Sequence, residues 1–396
     1  MKIAFITSGR LPVPATSGGA VETKLDYLME YNSRLHLHDI TMYAVKPDVK
    51  CKIPQTAENH YVHFNTESFL FRIGSKLYGR KNKSAYYDSH IEYFLYKCLR
   101  HARKQRFDVI ITTNRPGYTE KIGNSVGAPV IIQLNNDYLN PETRDAAKIK
   151  SACKGIITCS HFINKQASRV DSSRQPSIIT VHNGIDIERF SAAQPISREK
   201  FGLCPEDFVV VFSGRIIKEK GVLELIKAIK VAKRSIANLK LVVIGTSFFG
   251  KGNATSPYMQ QLTAEAEPIR QQVIFTGFVD YGQMPSYIKI ADVAALPSLW
   301  DEPFGLTILE AMAAGVPLIT TNGGGIPEIC QDTAILIERN SDIVNAIAKA
   351  ICHVHDHPDE AEELALRAKK RSRVFDKDVF CKNYFDAVQA IISDKP

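Results

Sequence analysis

The alternation of strand-like and helix-like segments is the feature that most constrains the fold of this 396-residue chain. Short β-branched runs bounded by turn residues alternate with segments of helical periodicity, which is typical of parallel sheets covered by helices. The first half contains six such runs, near residues 2–7, 40–45, 108–113, 129–134, 154–158 and 178–181. The second half contains six more, near residues 208–213, 240–245, 273–276, 292–296, 317–320 and 334–337. The pattern predicts the α/β class, with two doubly wound, six-stranded domains.

A turn-rich stretch between Asn183 and Pro205 divides the chain almost evenly. The chain is also longer than the size at which one hydrophobic core usually stops growing. We therefore expect an N-terminal domain over residues 1–187 and a C-terminal domain over residues 188–375. Residues 376–396 form an amphipathic pattern that the second sheet does not need, and we expect this last helix to pack back toward the first domain.

Composition argues against several other classes of protein. The hydrophobic share of 44% and the charged share of 23% are typical of a folded chain. No apolar run reaches the roughly 18 residues that cross a bilayer, and the apolar stretch after Met1 is too short for a signal peptide. The eight cysteines include no C-x-x-C pair, which favours reduced thiols over a zinc site. We expect a cytoplasmic protein.

Two glutamates eight residues apart follow the predicted strand near 292–296, in the segment Glu302-Pro-Phe-Gly-Leu-Thr-Ile-Leu-Glu310. Ligands of open α/β sheets bind at the carboxyl ends of strands, where a helix N-terminus offers N–H groups to phosphate. If the segment is helical throughout, the carboxylates lie roughly 12 Å apart, which suits two groups on either side of a diphosphate. The alternative is a helix cap at Glu302 and a solvated helix residue at Glu310.

Two further glycine-bearing turns follow predicted strands. Arg215 and Lys220 precede a helix, where cations oppose the dipole unless an anion lies between them. A diphosphate would be such an anion, and the alternative is a pair of surface charges. The turn over Gly323–Gly325 needs positive φ or a close backbone approach, and it either lines a sugar pocket or is only a turn.

Taken in order, these motifs resemble those of the retaining GT-B glycosyltransferases of family 4. Glu302 to Glu310 is similar to the E-x7-E motif of that family, and the accompanying motifs are Asn183-Gly-Ile-Asp186, Gly214-Arg215 with Lys220-Gly221, Gly277-Phe278-Val279 and Gly324-Gly-Ile-Pro-Glu328. The resemblance covers essentially the whole chain. It implies two facing Rossmann-like domains with a C-terminal crossover helix. It also implies transfer of a hexose-type sugar from a nucleotide donor to a hydroxyl acceptor, with retention of the anomeric configuration. UDP is the expected nucleotide because it is frequent in the family. The expected role is surface polysaccharide or glycoconjugate synthesis.

The resemblance also implies roles for single residues. Glu310 would hold the ribose, and Arg215 and Lys220 would hold the diphosphate and stabilise its developing charge. Glu302 would contact the sugar, while Phe278 would lie against the base. The amides that would contact the sugar and the distal phosphate are those of Phe304, Gly305, Leu306 and Thr307. The loop over residues 245–250 would stand near the donor. We expect no cofactor and no metal, since the histidines at 353–357 are more typical of a solvated helix end.

On the acceptor side, Gly18 and Gly19 stand at the start of a helix and can approach donor or acceptor. Two strand ends, one with Asn114 and Arg115 and the other with Asn135 and Asp137, would open on the same cleft. Many members of the family have a histidine where this chain has Asn135. A neutral amide cannot exchange a proton as histidine does. The alternative to an active transferase is therefore a catalytically idle binding or partner subunit that retains donor affinity.

Residues 69–106 hold ten Lys/Arg against two acidic residues, together with eight aromatic residues. This composition indicates peripheral contact with the inner face of an anionic membrane. The acceptor would then be a lipid-linked molecule carried by that membrane, and without such contact we expect a glycan acceptor. The alternative is a core-facing helix with a solvated cationic face, because the apolar residues between Ile91 and Leu99 keep helical spacing. We expect no nucleic-acid partner, since no such motif accompanies the charge.

Overall fold

The computed structural model describes residues 1–16, 18–47, 56–84, 86–247 and 256–394. The chain divides into two units, one formed by Met1–Gly184 with Lys377–Pro396 and the other by Ile185–Asp376. Each unit contains one parallel sheet whose central strand order is that of a doubly wound Rossmann fold. The predicted α/β class with two Rossmann-like domains is confirmed.

The first unit has a sheet of order β3-β2-β1-β4-β5-β6-β7. Its strands are β1 Lys2–Ile6, β2 Asp39–Val45, β3 Asn59–Phe64, β4 Val109–Thr113, β5 Val130–Leu134, β6 Gly155–Thr158 and β7 Ser177–Thr180. Its helices are α1 Ala20–Leu35, α2 Phe69–Lys81, α3 Ser89–Ala102, α4 Thr119–Val126, α5 Ala146–Ala152, α6 His161–Ser168 and, from the end of the chain, α15 Lys377–Ser393.

The number of strands predicted for this sheet is wrong by one. The additional strand β3 lies at the sheet edge and pairs in parallel with β2. Its sequence contains Asn59, His60 and His63, and most of its residues are only half-buried. An edge strand does not need the continuous apolar run that marks a strand buried on both faces, so the apolar pattern gave no sign of it.

The last helix, α15, completes the core of the first unit. Its side chains Phe380, Tyr384 and Val388 are buried in one cluster with Ile3 and Phe5 of β1. The ring of Tyr384 stacks on the ring of Phe5, and the two ring centroids are 6.1 Å apart. One face of the central sheet is therefore covered by a segment that follows the entire second unit in sequence.

The second unit has a sheet of order β10-β9-β8-β11-β12-β13. Its strands are β8 Phe208–Ser213, β9 Leu239–Ile244, β10 Val273–Gly277, β11 Val293–Leu296, β12 Leu318–Thr321 and β13 Ile335–Ile337. Its helices are α7 Ile187–Ser191, α8 Val222–Ala232, α9 Pro257–Ala266, α10 Met284–Ile288, α11 Leu306–Ala314, α12 Ile326–Cys330, α13 Ile343–Asp356 and α14 Pro358–Ser372. The strand order reverses between β8 and β11, which is where open α/β sheets bind ligands.

The sequence predicted that the chain has no membrane-spanning helix and that its cysteines are reduced. Within the described ranges, every helix is too short or too polar to cross a membrane. The seven cysteines in these ranges are free thiols. The eighth, Cys51, lies outside them.

Candidate functional site

The loops that follow β8 and β11 meet at the point where the strand order of the second unit reverses. The backbone N–H of Leu299 donates to the carbonyl oxygen of Glu219 at 2.7 Å and ties the two loops together. A small pocket lies between them, lined by Phe212, Ser213, Lys220, Leu296, Ser298, Glu302, Thr307 and Ile308. The structure thus brings three of the sequence-predicted donor residues, Lys220, Glu302 and Thr307, to one pocket.

A buried ion pair lies in this pocket. The ammonium group of Lys220 contacts Oε1 of Glu302, and the two side chains are 16% and 7% exposed. Oγ of Ser298 donates to the same carboxylate oxygen at 2.5 Å. Burial alone raises the pKa of Glu302, but the charge of Lys220 and the hydrogen bonds from Lys220 and Ser298 outweigh it and lower the pKa. Glu302 is therefore held as a carboxylate, and Lys220 keeps further N–H donors for a ligand.

Close backbone approach around Glu302 explains one glycine of the turn after β12. A Cβ added at Gly324, whose φ is +60°, would collide with the backbone of Glu302. The next N–H, that of Gly325, donates to the carbonyl oxygen of Glu302 at 2.7 Å. The turn that the sequence left open as pocket wall or simple turn is therefore bound to the loop that carries Glu302.

The segment from Glu302 to Glu310 is not helical throughout, so the spacing of roughly 12 Å that assumes a helix does not apply. Helix α11 begins only at Leu306, with Gly305 at φ +111° before it. Glu302 therefore lies in the loop and only Glu310 lies on the helix. The amides of Leu306 and Thr307, in the first turn of α11, are in the position in which helix N-termini bind anions.

The alternative interpretation of Glu310 as a solvated helix residue is wrong, because the residue is only 5% exposed. Burial raises its pKa to about 7, although a hydrogen bond from Tyr281 and the charges of Lys220 and Arg189 act to lower it. The Arg189 guanidinium lies over the Tyr281 ring, 5.1 Å from its centroid. Arg189 and Tyr281 were not among the residues predicted from sequence, although Arg189 lies three residues after Asp186 and Tyr281 lies two residues after Val279.

The other predicted donor residues surround this pocket less closely. Arg215 is exposed in the turn after β8, and Phe278 is 37% exposed just after β10. The Phe304 side chain is 2% exposed and packs against Phe375, with centroids 5.8 Å apart. The ring of Phe304 is therefore engaged in packing inside the second unit. Residues 248–250 of the expected donor loop lie outside the described residues.

In the first unit, a buried polar cluster lies at the carboxyl ends of β4 and β5. The backbone N–H of Asn135 donates to Oδ1 of Asn114 at 2.7 Å, and Asn114 has a φ of +55°. The Lys24 ammonium donates to the side-chain oxygens of both Asn135 and Asn183. Because its oxygen is engaged, the amide of Asn135 directs its N–H donors elsewhere, and the buried Nδ2 atom has no partner among the described residues. The cluster therefore offers a hydrogen-bond donor to a ligand.

Lys24 is the residue of this cluster that sequence analysis missed. Its side chain is 1% exposed, and burial lowers its pKa to about 8 although Cys159 and Glu22 act to raise it. A signal existed, since Lys24 stands four residues before Leu28, on the core-facing stripe of α1. A cation on such a stripe indicates either a buried polar network or a functional site.

The remaining acceptor-side residues are divided between this cluster and its surroundings. Gly18 and Gly19 precede α1, with φ of +75° and +116°, and lead into the helix that carries Lys24. Nε of Arg115 donates to the carbonyl oxygen of Ser8 at 3.1 Å, and its guanidinium lies 5.0 Å from the Tyr87 ring centroid. Oδ1 of Asp137 is buried and has no partner among the described residues. Among the described residues, neither Asp137 nor Arg115 forms a hydrogen bond with Asn135.

Comparisons with known proteins show what such a chain resembles. A family model described as glycosyl transferases group 1 matches residues 193–371. The chain is 26% identical to putative glycosyltransferase YtcC of Bacillus subtilis, over 93% of this chain and 87% of that protein. It is 30% identical to the lipopolysaccharide 1,2-N-acetylglucosaminetransferase of Salmonella typhimurium over 276 residues, which is 68% of each protein.

A solved structure with the same fold is that of Anabaena HepE in complex with UDP-glucose. It aligns with a TM-score of 0.73 and 19% sequence identity, over 98% of this chain and 100% of that one. At this identity, the likeness concerns the fold of the backbone.

Proposed function

This chain belongs to the glycosyl transferases group 1, a family of GT-B fold whose members use nucleotide-sugar donors. From that premise, we propose where the donor binds and which residues act in the transfer. The second unit binds the donor at the reversal point between β8 and β11. The sugar passes to a hydroxyl group of a glycan or a lipid-linked acceptor. The observation that carries this proposal is the pocket in which Lys220, Glu302 and the first turn of α11 come together.

Breaking the bond between sugar and diphosphate places negative charge on the leaving phosphate and positive character on the sugar. In our proposal Lys220, the exposed Arg215 and the amides of Leu306 and Thr307 stabilise the leaving diphosphate, because fixed donors in a partly dry site act most strongly on charge that develops during the reaction. Glu302 remains ionised beside Lys220 and accepts hydrogen bonds from sugar hydroxyls. Glu310 accepts hydrogen bonds from the ribose.

We also propose the finer assignments that the sequence resemblance implied: a hexose-type donor linked to UDP, retention at the anomeric carbon, no metal requirement, and a role in surface polysaccharide or glycoconjugate synthesis. The UDP-glucose complex of the structural neighbour supports the choice of nucleotide. The activity named for the Salmonella relative, transfer of N-acetylglucosamine to lipopolysaccharide, supports a surface glycoconjugate.

The Lys24, Asn135 and Asn183 cluster is our candidate for an acceptor-binding site on the first unit. Asn135 offers a buried N–H donor to a sugar hydroxyl, and Lys24 fixes the direction of that amide. A catalytically idle subunit that only binds donor is not favoured, since the relatives compared above carry transferase names.

The test is release of free nucleotide from UDP-, GDP- and dTDP-linked sugars, with and without an extract that supplies acceptors. We expect turnover with one donor class. Arg215→Ala and Lys220→Ala should nearly abolish it, whereas Glu310→Ala should mainly weaken donor binding. Lys218→Ala is the matched control, because Lys218 is an exposed cation of the same loop to which the proposal assigns no contact with the donor. Unchanged turnover in all three site variants would refute the site, and silence with every donor would favour the idle subunit.

Two further measurements separate the finer assignments. The anomeric configuration of the first product, read by NMR, decides between retention and inversion. Turnover after exhaustive treatment with EDTA decides whether a metal is needed. An inverted product or a loss of activity that Mg²⁺ restores would contradict the corresponding assignment and leave the donor pocket unaffected.

A further inference from the structure

Helix α2, Phe69–Lys81, has an unusual distribution of side chains. Four large apolar residues on it are exposed: Phe69 at 74%, Leu70 at 79%, Ile73 at 40% and Leu77 at 54%. They are four of the eleven large hydrophobic residues that are exposed among the described residues. Single exposed apolar residues are ordinary on a protein surface, but a contiguous apolar patch marks an interaction site.

The inward face of α2 explains why these residues point outward. A Cβ at Gly74 would collide with Tyr93, and one at Gly79 would collide with Ser89, so the helix lies very close to α3 along its glycines. Phe71 is 6% exposed and packs on Tyr93 with centroids 4.9 Å apart. The helix therefore already has a complete packing face, and its second apolar face has no partner among the described residues of this unit.

Cations flank this second face. At about 100° per residue, the four exposed apolar side chains occupy a sector of roughly 100° centred opposite the packing face. Arg72 and Lys76 project along one side of it, Lys81 along the other, and Arg80 within it. All four cations are exposed, and none forms an ion pair with another described residue. An apolar stripe bordered by unpaired cations is complementary to a surface that is apolar inside and anionic outside.

We propose that α2 lies in the interface of an anionic lipid bilayer, with Phe69, Leu70, Ile73 and Leu77 inserted among the acyl chains and the flanking cations at the headgroups. Helices of this kind bind through buried apolar area together with attraction to anionic lipid. Each cation near such a surface strengthens binding by about fivefold. The proposal is independent of the sugar donor, and it would bring the first unit to acceptors carried by lipid.

The structure also narrows the sequence-based expectation of contact through residues 69–106. The apolar residues of α3, namely Ile91, Phe94, Leu95, Cys98 and Leu99, are buried in the core of the first unit. The core-facing interpretation is confirmed for α3. Membrane contact is therefore assigned to α2, and the cations of α3 lie outside the proposed insertion surface.

The experiment is co-sedimentation of the purified full chain with vesicles of phosphatidylcholine alone or of equal parts phosphatidylcholine and phosphatidylglycerol. We expect binding to the anionic vesicles, weakened at high salt, since screening shortens electrostatic attraction. Changing the four exposed apolar residues to serine should reduce partitioning at least tenfold. Changing Arg72, Lys76, Arg80 and Lys81 to glutamine should remove the preference for anionic lipid.

A matched control replaces exposed apolar residues elsewhere. Leu366 and Val374 are 60% and 56% exposed in the second unit, and their change to serine should leave partitioning unaltered. Because the altered side chains are exposed, the α2 variants should keep the circular dichroism spectrum and unfolding midpoint of the original chain. Phe69→Trp adds a direct readout, with a blue shift of fluorescence expected when anionic vesicles are added.

Three results would overturn the proposal. The first is equal binding of the original chain and the serine variant to anionic vesicles. The second is a Phe69→Trp spectrum that does not respond to vesicles. The third is self-association of the chain without lipid, measured by sedimentation and abolished by the serine variant, because the apolar face would then belong to a second copy of the chain.

Discussion

The ion pair between Lys220 and Glu302 leads to a sharp prediction about stability. Lys220→Met removes the cation and leaves a carboxylate whose side chain is only 7% exposed. Breaking a buried pair from one side typically costs about 3–5 kcal/mol, because the remaining charge is desolvated and unpaired. Since Ser298 still donates to that carboxylate at 2.5 Å, we expect the lower end, about 3 kcal/mol.

Removing the carboxylate of the pair instead of the cation should lower the free energy of unfolding by a smaller amount. In Glu302→Gln the Lys220 side chain, which is 16% exposed, can turn its ammonium group toward water, so we expect about 1–2 kcal/mol. The double variant removes both charges and should be within about 1 kcal/mol of the original chain, since neutral replacement of a buried pair is often tolerated. The two single effects should therefore not add.

The assay uses the only tryptophan of the sequence. Trp300 lies in the same loop as Glu302, so its fluorescence during urea unfolding reports on the second unit. The folded-state pKa of Glu302 is lowered, so the stability that the pair contributes is present at neutral pH. It is lost as the pH falls below the ordinary pKa of about 4.3 and through the lowered one. A double variant no more stable than Lys220→Met, or a Lys220→Met that costs less than about 1 kcal/mol, would refute the reasoning.

Three other predictions follow from buried groups and close contacts. Donor affinity should weaken about tenfold between pH 8 and pH 6, because the pKa of Glu310 is about 7 and its ionised form accepts the ribose hydroxyls; titration calorimetry checks this, and Glu310→Gln should show no such trend. Between pH 8 and pH 10.5, the free energy of unfolding should rise by up to about 3 kcal/mol more in the original chain than in Lys24→Met, because the unfolded chain keeps the Lys24 proton over that range whereas the folded chain loses it. Circular dichroism at each pH measures this, and parallel plots of stability against pH for the two proteins would contradict it. Gly324→Ala should lower the free energy of unfolding by about 1–3 kcal/mol more than Gly127→Ala does. Both glycines have positive φ, but only at Gly324 would an added Cβ collide with backbone atoms. Equal urea midpoints of the two variants would contradict this close approach.

The fold could be predicted largely from apolar runs, because strands buried on both faces of a parallel sheet must be apolar along their length. The central strands β1, from Ile3 to Ile6, and β8, from Phe208 to Phe212, obey this rule. The edge strand β3 does not, and Asn59 shows why. Its side chain is buried but donates to the carbonyl oxygen of Met29 and to Oγ of Ser33, both at 2.6 Å. A buried polar residue satisfied in this way looks like a loop residue in sequence.

The meeting of the loops that line the candidate donor pocket could be predicted in outline for a similar reason. Motifs at the carboxyl ends of β8 and β11 come together in any doubly wound sheet, so Lys220 and Glu302 could be placed near one another in advance, although their ion pair was not foreseen. The state of Glu310 could not be judged from spacing. Helix α11 is apolar all round, with Ile308, Leu309 and Met312 buried, and a helix of this kind is enclosed by its unit. The acidic residue on it is therefore buried as well.

The polar cluster around Lys24 in the first unit was the feature least predictable from sequence. Its members lie far apart in sequence, at 24, 114, 135 and 183, and no fixed spacing links them. Only the placement of a lysine on a core-facing stripe pointed to it. Long-range polar networks depend on which strand ends the topology brings together, and a single sequence reveals them only through such misplaced charges.

The last helix of the first unit has a consequence for synthesis on the ribosome. The sheet of that unit is translated first, yet the side chains of α15 that cover one face of it are added only after residues 185–376. During translation of the second unit, the nascent first sheet exposes the apolar side chains that later meet Phe380, Tyr384 and Val388. The second unit is continuous in sequence and needs no such delay. Chain elongation itself thus sets the order in which the two cores can be completed, and a nonsense codon near 377 would leave a finished second unit tethered to an open sheet.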